Sequence, residues 1–194
     1  MLFDLDGVLV DARPWHRQAL RGALAQAGYE ITAEQEEALE GLPTLVKLKS
    51  LGVNSADIEG IFLSKQRRTL QLIHSLAKPY PDIVEMMARL KGEHKRIGIC
   101  SNAVRATVYA VMWRTRIVRY IDLVLSNEEA PKPKPNPLIY EMALSCMHAK
   151  PEDAVAVEDH PRGVAAAMAA GIRVVTVAGP DELCYERLLE EGSP

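Results

Sequence analysis

The hydrophobic pattern of residues 12–76 is helical. Apolar side chains recur there at intervals of three and four residues, which is the spacing of amphipathic helices. One such row consists of Trp15, Ala19, Ala23 and Ala27. Glycine and proline interrupt the pattern near residues 28, 41 and 52. We therefore predict four helices in this segment and no strand.

From Tyr80 onward, short apolar runs alternate with helical patterns. The runs that we interpret as strands are Arg96–Cys100, Ile121–Leu125, Ala154–Val157 and Arg173–Val177. The predicted helices are Pro81–Lys91, Ala103–Arg114, Leu138–Met147, Gly163–Ala170 and Asp181–Glu190. Nearly uninterrupted apolar runs that alternate with helices are typical of a parallel sheet covered on both faces.

The first residues of the chain supply a fifth predicted strand. Leu2 and Phe3 form a short apolar run directly before Asp4. We predict an α/β fold, a doubly wound, Rossmann-like sheet of five parallel strands with an inserted α-helical cap domain. Residues 1–11 and 80–194 would form the α/β core, and residues 12–79 would form the cap. Because so little precedes Asp4, we expect the start of the chain to be missing or trimmed.

Asp4 and Asp6 are an unusual pair at the end of that strand. Alternate residues of a strand share a face, so both carboxyl groups point to the same side of the chain. Gly7 permits a sharp backbone turn directly after them. Two close carboxylates repel each other unless a cation lies between them or one is protonated. The pair therefore indicates a binding or catalytic site, and the alternative is an Asp-Gly turn in a β-hairpin.

Composition and charge narrow the possible partners. The formal net charge is −3, so no basic excess is available to bind nucleic acid. The apolar runs are shorter than the ~20 residues that cross a bilayer, and no secretion signal opens the chain. The 3 cysteines have no CxxC spacing and are typical of reduced thiols. We expect a cytoplasmic protein without a membrane or nucleic-acid partner, and the oligomeric state stays open.

Polar side chains follow four of the predicted strands. They are Asp4 and Asp6 after the first strand, Ser101 and Asn102 after the second, Lys134 after the third, and Glu158 and Asp159 after the fourth. In open α/β sheets, ligands bind beyond the carboxyl ends of the strands. We therefore expect hydroxyl, amide, carboxylate and ammonium groups to meet on one rim of the sheet.

This set of groups suits phosphoryl transfer. One aspartate can attack phosphorus to give an aspartyl-phosphate, and a second can protonate the departing alkoxide and then deprotonate water. Several carboxylates on one rim favour Mg²⁺, which binds a few carboxylates together with phosphate oxygens and water. Ser101 would lie at a helix N-terminus, where backbone N–H groups bind phosphate. A lysine would neutralise the transferred group.

The motifs resemble those of the haloacid dehalogenase (HAD) superfamily of phosphotransferases. In order, they are Asp4-Leu5-Asp6-Gly7, Ser101-Asn102, Lys134-Pro135-Asn136-Pro137-Leu138-Ile139-Tyr140 and Glu158-Asp159. The resemblance covers essentially the whole chain. It is to the subgroup with a helical cap that includes β-phosphoglucomutase and phosphoglycolate phosphatase.

The resemblance implies a role for each acidic residue. Asp4 would be the nucleophile, and Asp6 the general acid and base whose main-chain carbonyl also binds the metal. Asp159 would be a Mg²⁺ ligand, and Glu158 either a second ligand or outer-shell support. Lys134 would bind the phosphoryl group during catalysis. Lys132 is the alternative lysine, although it lies two residues out of register.

The resemblance also implies substrate contacts, some of which stay open. Ser101, Asn102 and Lys134 would contact the substrate. His16 matches a histidine at the cap entrance, and the alternative is a packed, hydrogen-bonded side chain. A mutase would place an arginine where Thr44 stands in order to hold a distal phosphate; Lys47 or Lys49 could replace it, or both could be solvated.

The predicted function is a Mg²⁺-dependent phosphomonoester hydrolase that acts on a small soluble phosphate ester through an aspartyl-phosphate. A dehalogenase expels halide, which needs no proton, so the acid Asp6 favours phosphate-ester chemistry. Two alternatives remain open. One is a sugar-phosphate mutase on the same scaffold, and the other is an inactive binding or regulatory protein that keeps the fold.

Overall fold

A computed structural model describes residues 1–192, and these contain a parallel sheet of five strands. The strands are β1 (Leu2–Phe3), β2 (Gly98–Cys100), β3 (Leu123–Leu125), β4 (Val155–Glu158) and β5 (Arg173–Thr176). Their order across the sheet is β3-β2-β1-β4-β5. The order reverses at β1, and this is where a doubly wound sheet binds its ligand. The predicted fold class is confirmed.

Nine α-helices connect the strands within the same residues. They are α1 (Arg13–Gln26), α2 (Ala33–Ala38), α3 (Thr44–Ser50), α4 (Ser55–Leu76), α5 (Pro81–Gly92), α6 (Arg105–Arg114), α7 (Leu138–Cys146), α8 (Pro161–Ala169) and α9 (Tyr185–Gly192). None of them is both long and apolar enough to span a membrane. The four helices predicted between residues 12 and 76 are α1 to α4, and the structure has no strand there.

Three predicted helix starts are wrong. Helix α8 begins at Pro161 and not at Gly163, with His160 as its N-cap. The last helix begins at Tyr185 and not at Asp181, because the chain first forms a 3₁₀ turn over Pro180–Glu182 and then extends at Leu183. The extended backbone lets the Leu183 side chain join the core, where it is buried. Helix α6 begins at Arg105 and not at Ala103, because residues 101–104 form a turn before it.

Strand β1 is short but lies at the centre of the sheet. Leu2 pairs with Gly98 on one side and with Ala156 on the other. The pairing continues beyond the strand, since the Asp4 N–H donates to the carbonyl of Val157. Close packing accompanies it, because a Cβ at Gly98 would lie 2.9 Å from a methyl group of Leu2. The two neighbouring strands thus hold the backbone of Asp4 in place.

The chain turns sharply directly after Asp6. Gly7 has a φ of +98° and its N–H donates to the carbonyl of Val10. Residues Asp6 and Val10 form only an isolated bridge, and β1 pairs with parallel strands on both sides. The alternative of a β-hairpin at this position is therefore wrong, because the turn leaves a central strand and leads into α1.

The helical insert, defined as residues 12–79, has its own hydrophobic cluster. The cluster contains Leu20, Ala23, Leu24, Leu48, Val53 and Ile61. Two other clusters lie on the opposite faces of the sheet, one around Phe3 and one around Leu2 and Tyr140. The C-terminal end of α4 joins the first of these through Ile73. The predicted domain boundaries near residues 12 and 80 stay a prediction, which the separate cluster supports.

Candidate active site

A cavity of about 130 Å³ separates the sheet from the helical insert. Its floor is formed by the side chains that follow β1, β2 and β4, together with Lys134. Helices α1 to α4 of the insert and the loop at Gly41 form the opposite wall. The predicted rim residues therefore meet at one place, and the insert covers them.

Lys134 is buried at the centre of this floor. Its Nζ donates to Oδ1 of Asp4 at 2.7 Å, to Oε1 of Glu158 at 2.5 Å and to the carbonyl of Cys100 at 2.7 Å. Burial lowers the pKa of Lys134, but the two carboxylates outweigh it and the pKa is raised. The lysine is a permanent cation here. Lys132, the alternative lysine, is exposed.

The carboxyl group of Asp4 is buried beside other acids. Burial raises the pKa of Asp4 well above its usual value, and Glu158, Asp159 and Asp6 act in the same direction. Lys134 opposes them with a direct ion pair. Lys134 and Arg13 bring two positive charges to the three carboxylates of Asp4, Glu158 and Asp159, so negative charge stays in excess. The cluster therefore favours the binding of a further cation.

Asp159 completes the acidic group after β4. Burial and the neighbouring Glu158 raise the pKa of Asp159 to about 6, and Arg13 acts in the opposite direction. The Arg13 Nη1 donates to Oδ2 of Asp159 at 3.2 Å. A Cβ at Gly7 would lie 1.9 Å from the same oxygen. Glycine at this position thus makes room for the carboxylate against the turn that follows β1.

Glu158 is held from three sides. Its Oε1 accepts hydrogen bonds from Lys134 and from the hydroxyl group of Tyr140. On the third side, a Cβ at Gly163 would lie 2.0 Å from Oε2. Helix α8 therefore packs its glycine against the carboxylate, and the side chain has little freedom to rotate.

These acids fit a divalent cation. One carboxylate oxygen from each of Asp4, Glu158 and Asp159 can be chosen so that all three lie within 4.8 Å of one another. Carboxylate oxygens are hard ligands of the kind that Mg²⁺ prefers. The absence of a Cβ at Gly7 and Gly163 lets two of the three carboxylates approach the site. The donor set and its space thus match the predicted metal.

Asp6 begins a chain of hydrogen bonds into the insert. The His16 Nε2 lies 3.2 Å from Oδ2 of Asp6, and the Lys65 Nζ lies 3.1 Å from Nδ1 of His16. Because an ammonium can only donate, Nδ1 accepts and Nε2 carries the proton that it donates to Asp6. Oδ1 of Asp6 is buried without a hydrogen-bond partner within residues 1–192.

The pKa values along this chain follow its charges. Burial raises the pKa of Asp6, but His16 and Lys65 outweigh it and the pKa is lowered. The pKa of His16 is lowered by burial and by Lys65, which agrees with a neutral imidazole. Burial and the nearby Lys47 lower the pKa of Lys65 to about 8. Asp6 is therefore a carboxylate in this arrangement.

Ser101 and Asn102 reach the site but differ in their surroundings. The Oγ of Ser101 accepts from the N–H of Ala103 and is buried within a turn. Ser101 thus precedes α6 by a turn, so its predicted place at a helix N-terminus is wrong. The Nδ2 of Asn102 donates to the carbonyl of Gly41 at 2.8 Å, and its Oδ1 accepts from the N–H of Lys134. Asn102 thereby connects the sheet to the insert.

Several cavity residues were not predicted from the sequence, and two of them, Lys65 and Arg13, are cations that contact predicted site residues. Lys65 lies in the buried row Ile61, Lys65, Thr69 and Ile73 of α4, and a lysine within such an apolar row is the signal that could have found it. Arg13 gave a weaker signal, as a basic residue at a helix start. His160 caps α8 by accepting from the N–H of Arg162. Cys100 is a buried free thiol.

Related proteins of similar length include several named enzymes. A phosphorylated carbohydrates phosphatase of Thermotoga maritima is 25% identical over 89% of this chain and 81% of its own length. The fructose-1-phosphate phosphatase YqaB of Escherichia coli is 26% identical over 91% of this chain and 95% of its own length. A β-phosphoglucomutase of Bacillus subtilis is 26% identical over 91% of this chain and 82% of its own length.

Solved structures agree with these relatives. A β-phosphoglucomutase from Clostridium difficile superposes with a TM-score of 0.85 at 20% identity and covers 98% of this chain and 95% of its own. At that identity the likeness shows the fold. CbbY from Rhodobacter sphaeroides, solved with phosphate, has a TM-score of 0.84 at 25% identity and covers 92% of this chain and 85% of its own. Residues 1–177 match the haloacid dehalogenase-like hydrolase family. The chain therefore belongs to that family, within the subgroup of these relatives, as its motifs predicted.

Proposed function

We propose that the protein is a Mg²⁺-dependent phosphomonoesterase that hydrolyses a small soluble phosphate ester through an aspartyl-phosphate on Asp4. The observation that carries this proposal is the buried ion pair of Asp4 with Lys134, at the floor of a cavity and beside two further carboxylates. Relatives named as phosphatases of phosphorylated carbohydrates and of fructose 1-phosphate support a sugar phosphate as the substrate class.

Asp4 supplies the attacking oxygen in the first half of the proposed reaction. Its Oδ1 accepts from Lys134, so we assign the attack to Oδ2. A bond forms between this oxygen and phosphorus, the ester P–O bond breaks, and the leaving alkoxide keeps the bonding electrons and takes up a proton. The Lys134 ammonium neutralises negative charge on the nucleophile and on the transferred group.

Asp6 handles the proton in both halves of the reaction. Its Oδ2 is fixed by His16, whereas its buried Oδ1 is free to exchange a proton. A bound phosphate dianion raises the pKa of a nearby carboxyl group, so substrate binding favours the protonated form that the alkoxide needs. After the alcohol leaves, the Asp6 carboxylate takes a proton from water as that water attacks phosphorus and the bond to Asp4 breaks.

We assign the Mg²⁺ site to Asp4, Glu158 and Asp159, with the main-chain carbonyl of Asp6 as a further ligand. The three carboxylates are close enough to share one ion. When bound, the ion would neutralise charge on the phosphoryl oxygens. Ser101, Asn102 and Lys134 are the side chains that we assign to the phosphoryl group.

We also propose that residues 12–79 act as a cap that selects the substrate. The insert supplies one wall of the cavity, and its loop at Gly41 accepts a hydrogen bond from Asn102 of the core. A ligand between the two walls is shielded from water. This shielding strengthens the electrostatic interactions within the site.

Phosphate release from a substrate panel tests the proposal. The panel contains hexose phosphates, phosphoglycolate, nucleotides and pyrophosphate, each with Mg²⁺ and with EDTA. We expect Mg²⁺-dependent release from sugar phosphates and its loss in Asp4→Asn. Acid quenching with ³²P-labelled substrate should trap label on the wild-type protein only. Full Mg²⁺-dependent release by Asp4→Asn would contradict the covalent mechanism, and no turnover despite Mg²⁺ binding would favour an inactive binding protein.

A sugar-phosphate mutase is the second candidate, and the lysines of the insert favour it. Lys47 and Lys65 both line the cavity opposite Asp4, and within residues 1–192 neither forms an ion pair with a carboxylate. A mutase would have an arginine at the position of Thr44 to hold the second phosphate of a bisphosphate. The two ammonium groups on that wall could bind this phosphate instead. ³¹P NMR of a hexose phosphate separates the candidates, because a mutase interconverts isomers and a phosphatase produces inorganic phosphate.

A further inference from the structure

Arg13 joins the candidate metal site to the helical insert. Its Nη1 donates to Oδ2 of Asp159 at 3.2 Å, and its Nε donates to Oδ1 of Asp11 at 2.8 Å. The Asp159 side chain is only 4% exposed, whereas that of Arg13 is 35% exposed. A partly hydrated cation therefore lies on a nearly buried carboxylate of the metal cluster.

The position of Arg13 does not stabilise its own helix. Arg13 is the first residue of α1, and a positive charge at a helix N-terminus is opposed by the helix dipole. The first turn of α1 contains no acidic residue, and no side chain caps it. The hydrogen bonds of Arg13 go to two carboxylates outside the helix. Arg13 therefore acts by neutralising those carboxylates and not by stabilising α1.

Lys134 does not reach the same carboxylate. Its Nζ hydrogen bonds go to Asp4, Glu158 and a main-chain carbonyl. Lys134 therefore pairs with Asp4 and Glu158, and Arg13 pairs with Asp159. The two cations differ in exposure. The side chain of Arg13 reaches solvent and has room to move away from Asp159, whereas Lys134 is buried.

We propose that Arg13 is the internal counter-ion of the metal site and lowers its affinity for divalent cations. Arg13 neutralises Asp159 and keeps it in position through their hydrogen bond. A divalent cation that binds Asp159 must do so against the guanidinium charge, or displace it. The inference rests on the proposed function in one respect, namely that Asp159 is a metal ligand.

Isothermal titration of Mg²⁺ into the EDTA-treated and dialysed full chain tests this role without any substrate. Arg13→Gln should lower the Kd for Mg²⁺ by about tenfold. The substitution removes the repulsion between one positive charge and the divalent ion, and at a partly buried site this repulsion is large enough for such a change in affinity. Arg13→Lys loses one of the two directed hydrogen bonds but keeps the charge near Asp159, so its Kd should stay within about threefold of the wild type. Arg17→Gln is the matched control, because Arg17 also lines the cavity but pairs with Glu40.

The outcomes separate this inference from the proposed function. If the wild type binds Mg²⁺ and Arg13→Gln binds it no more tightly, or more weakly, Arg13 is not a counter-ion and only the inference fails. If Arg17→Gln tightens binding equally, the effect is general electrostatics and the inference also fails. If neither the wild type nor Arg13→Gln binds Mg²⁺, the metal-dependent function fails with it. Melting curves in EDTA check folding, and Arg13→Ala should show a larger Mg²⁺-induced rise in Tm than the wild type.

Discussion

The ammonium group of Lys134 lies 2.7 Å from Oδ1 of Asp4, although 130 residues separate them in the chain. Both groups are buried, and Glu158 completes the cluster at 2.5 Å. Removing one partner of a buried ion pair leaves an uncompensated charge, which costs more than the pair contributes. The same contact therefore supports the fold and the proposed chemistry.

Lys134→Met should destabilise the protein by about 3–5 kcal/mol, because two buried carboxylates lose their cation. Urea denaturation at pH 7 measures the change. Lys132→Met is the control, since Lys132 is exposed two residues away, and it should stay within about 0.5 kcal/mol. A Lys134→Met protein as stable as the control would show that the ion pair does not stabilise the fold.

Gly163→Ala should displace Glu158, because the new Cβ would lie 2.0 Å from its carboxylate. We expect a loss of about 1–3 kcal/mol from overpacking and a weaker Mg²⁺ affinity. Gly60→Ala is the control within α4, where a Cβ meets nothing within 4 Å. It should raise the free energy of unfolding by about 0.5–1 kcal/mol. Equal effects of the two substitutions would contradict the tight packing.

Asp6→Asn should discriminate between leaving groups. An alkyl phosphate expels a basic alkoxide that needs a proton, so its kcat should fall by about 10²–10⁴. A p-nitrophenyl phosphate expels a stable phenolate, and its first step should fall far less. Burst kinetics separate that step from hydrolysis of the aspartyl-phosphate. If the rate of the first step fell equally for both esters, Asp6 would not be the general acid.

Lys65 should make stability depend on pH above neutrality. Its pKa is lowered from 10.5 to about 8 in the folded protein by burial and by Lys47. Between these pH values the unfolded chain binds a proton that the folded chain has released, so this contribution to stability rises with pH. From pH 7 to 10, the wild type should gain about 2 kcal/mol relative to Lys65→Met. Urea midpoints over this range measure the difference, and parallel pH curves would refute the lowered pKa.

The predicted elements agree with the structure where local physics decides them. Ala19 and Ala23 of the predicted row lie on the buried face of α1, whereas Ala27 is exposed at the C-terminal cap of the helix. Thr32 and Gln35 form a capping box at α2. The apolar run before Asp4 became a central parallel strand. The start of α9 was wrong because the burial of Leu183 depends on the core and not on the local pattern.

The sequence by itself determined which polar residues would reach the edge of the sheet. Side chains that follow parallel strands converge there, so the parallel strands alone predict that Asp4, Ser101 and Asp159 reach the same rim. Lys134 needed the family resemblance to distinguish it from Lys132.

Only the tertiary structure decided which charges contact one another. The links of His16 to Lys65 and of Arg13 to Asp159 join residues 49 and 146 positions apart. Such contacts depend on how the insert packs over the sheet, since a helix pattern gives the face of a side chain but not its partner. For the same reason, the glycines at 7 and 163 acquire their meaning only when a carboxylate is found where a Cβ would be.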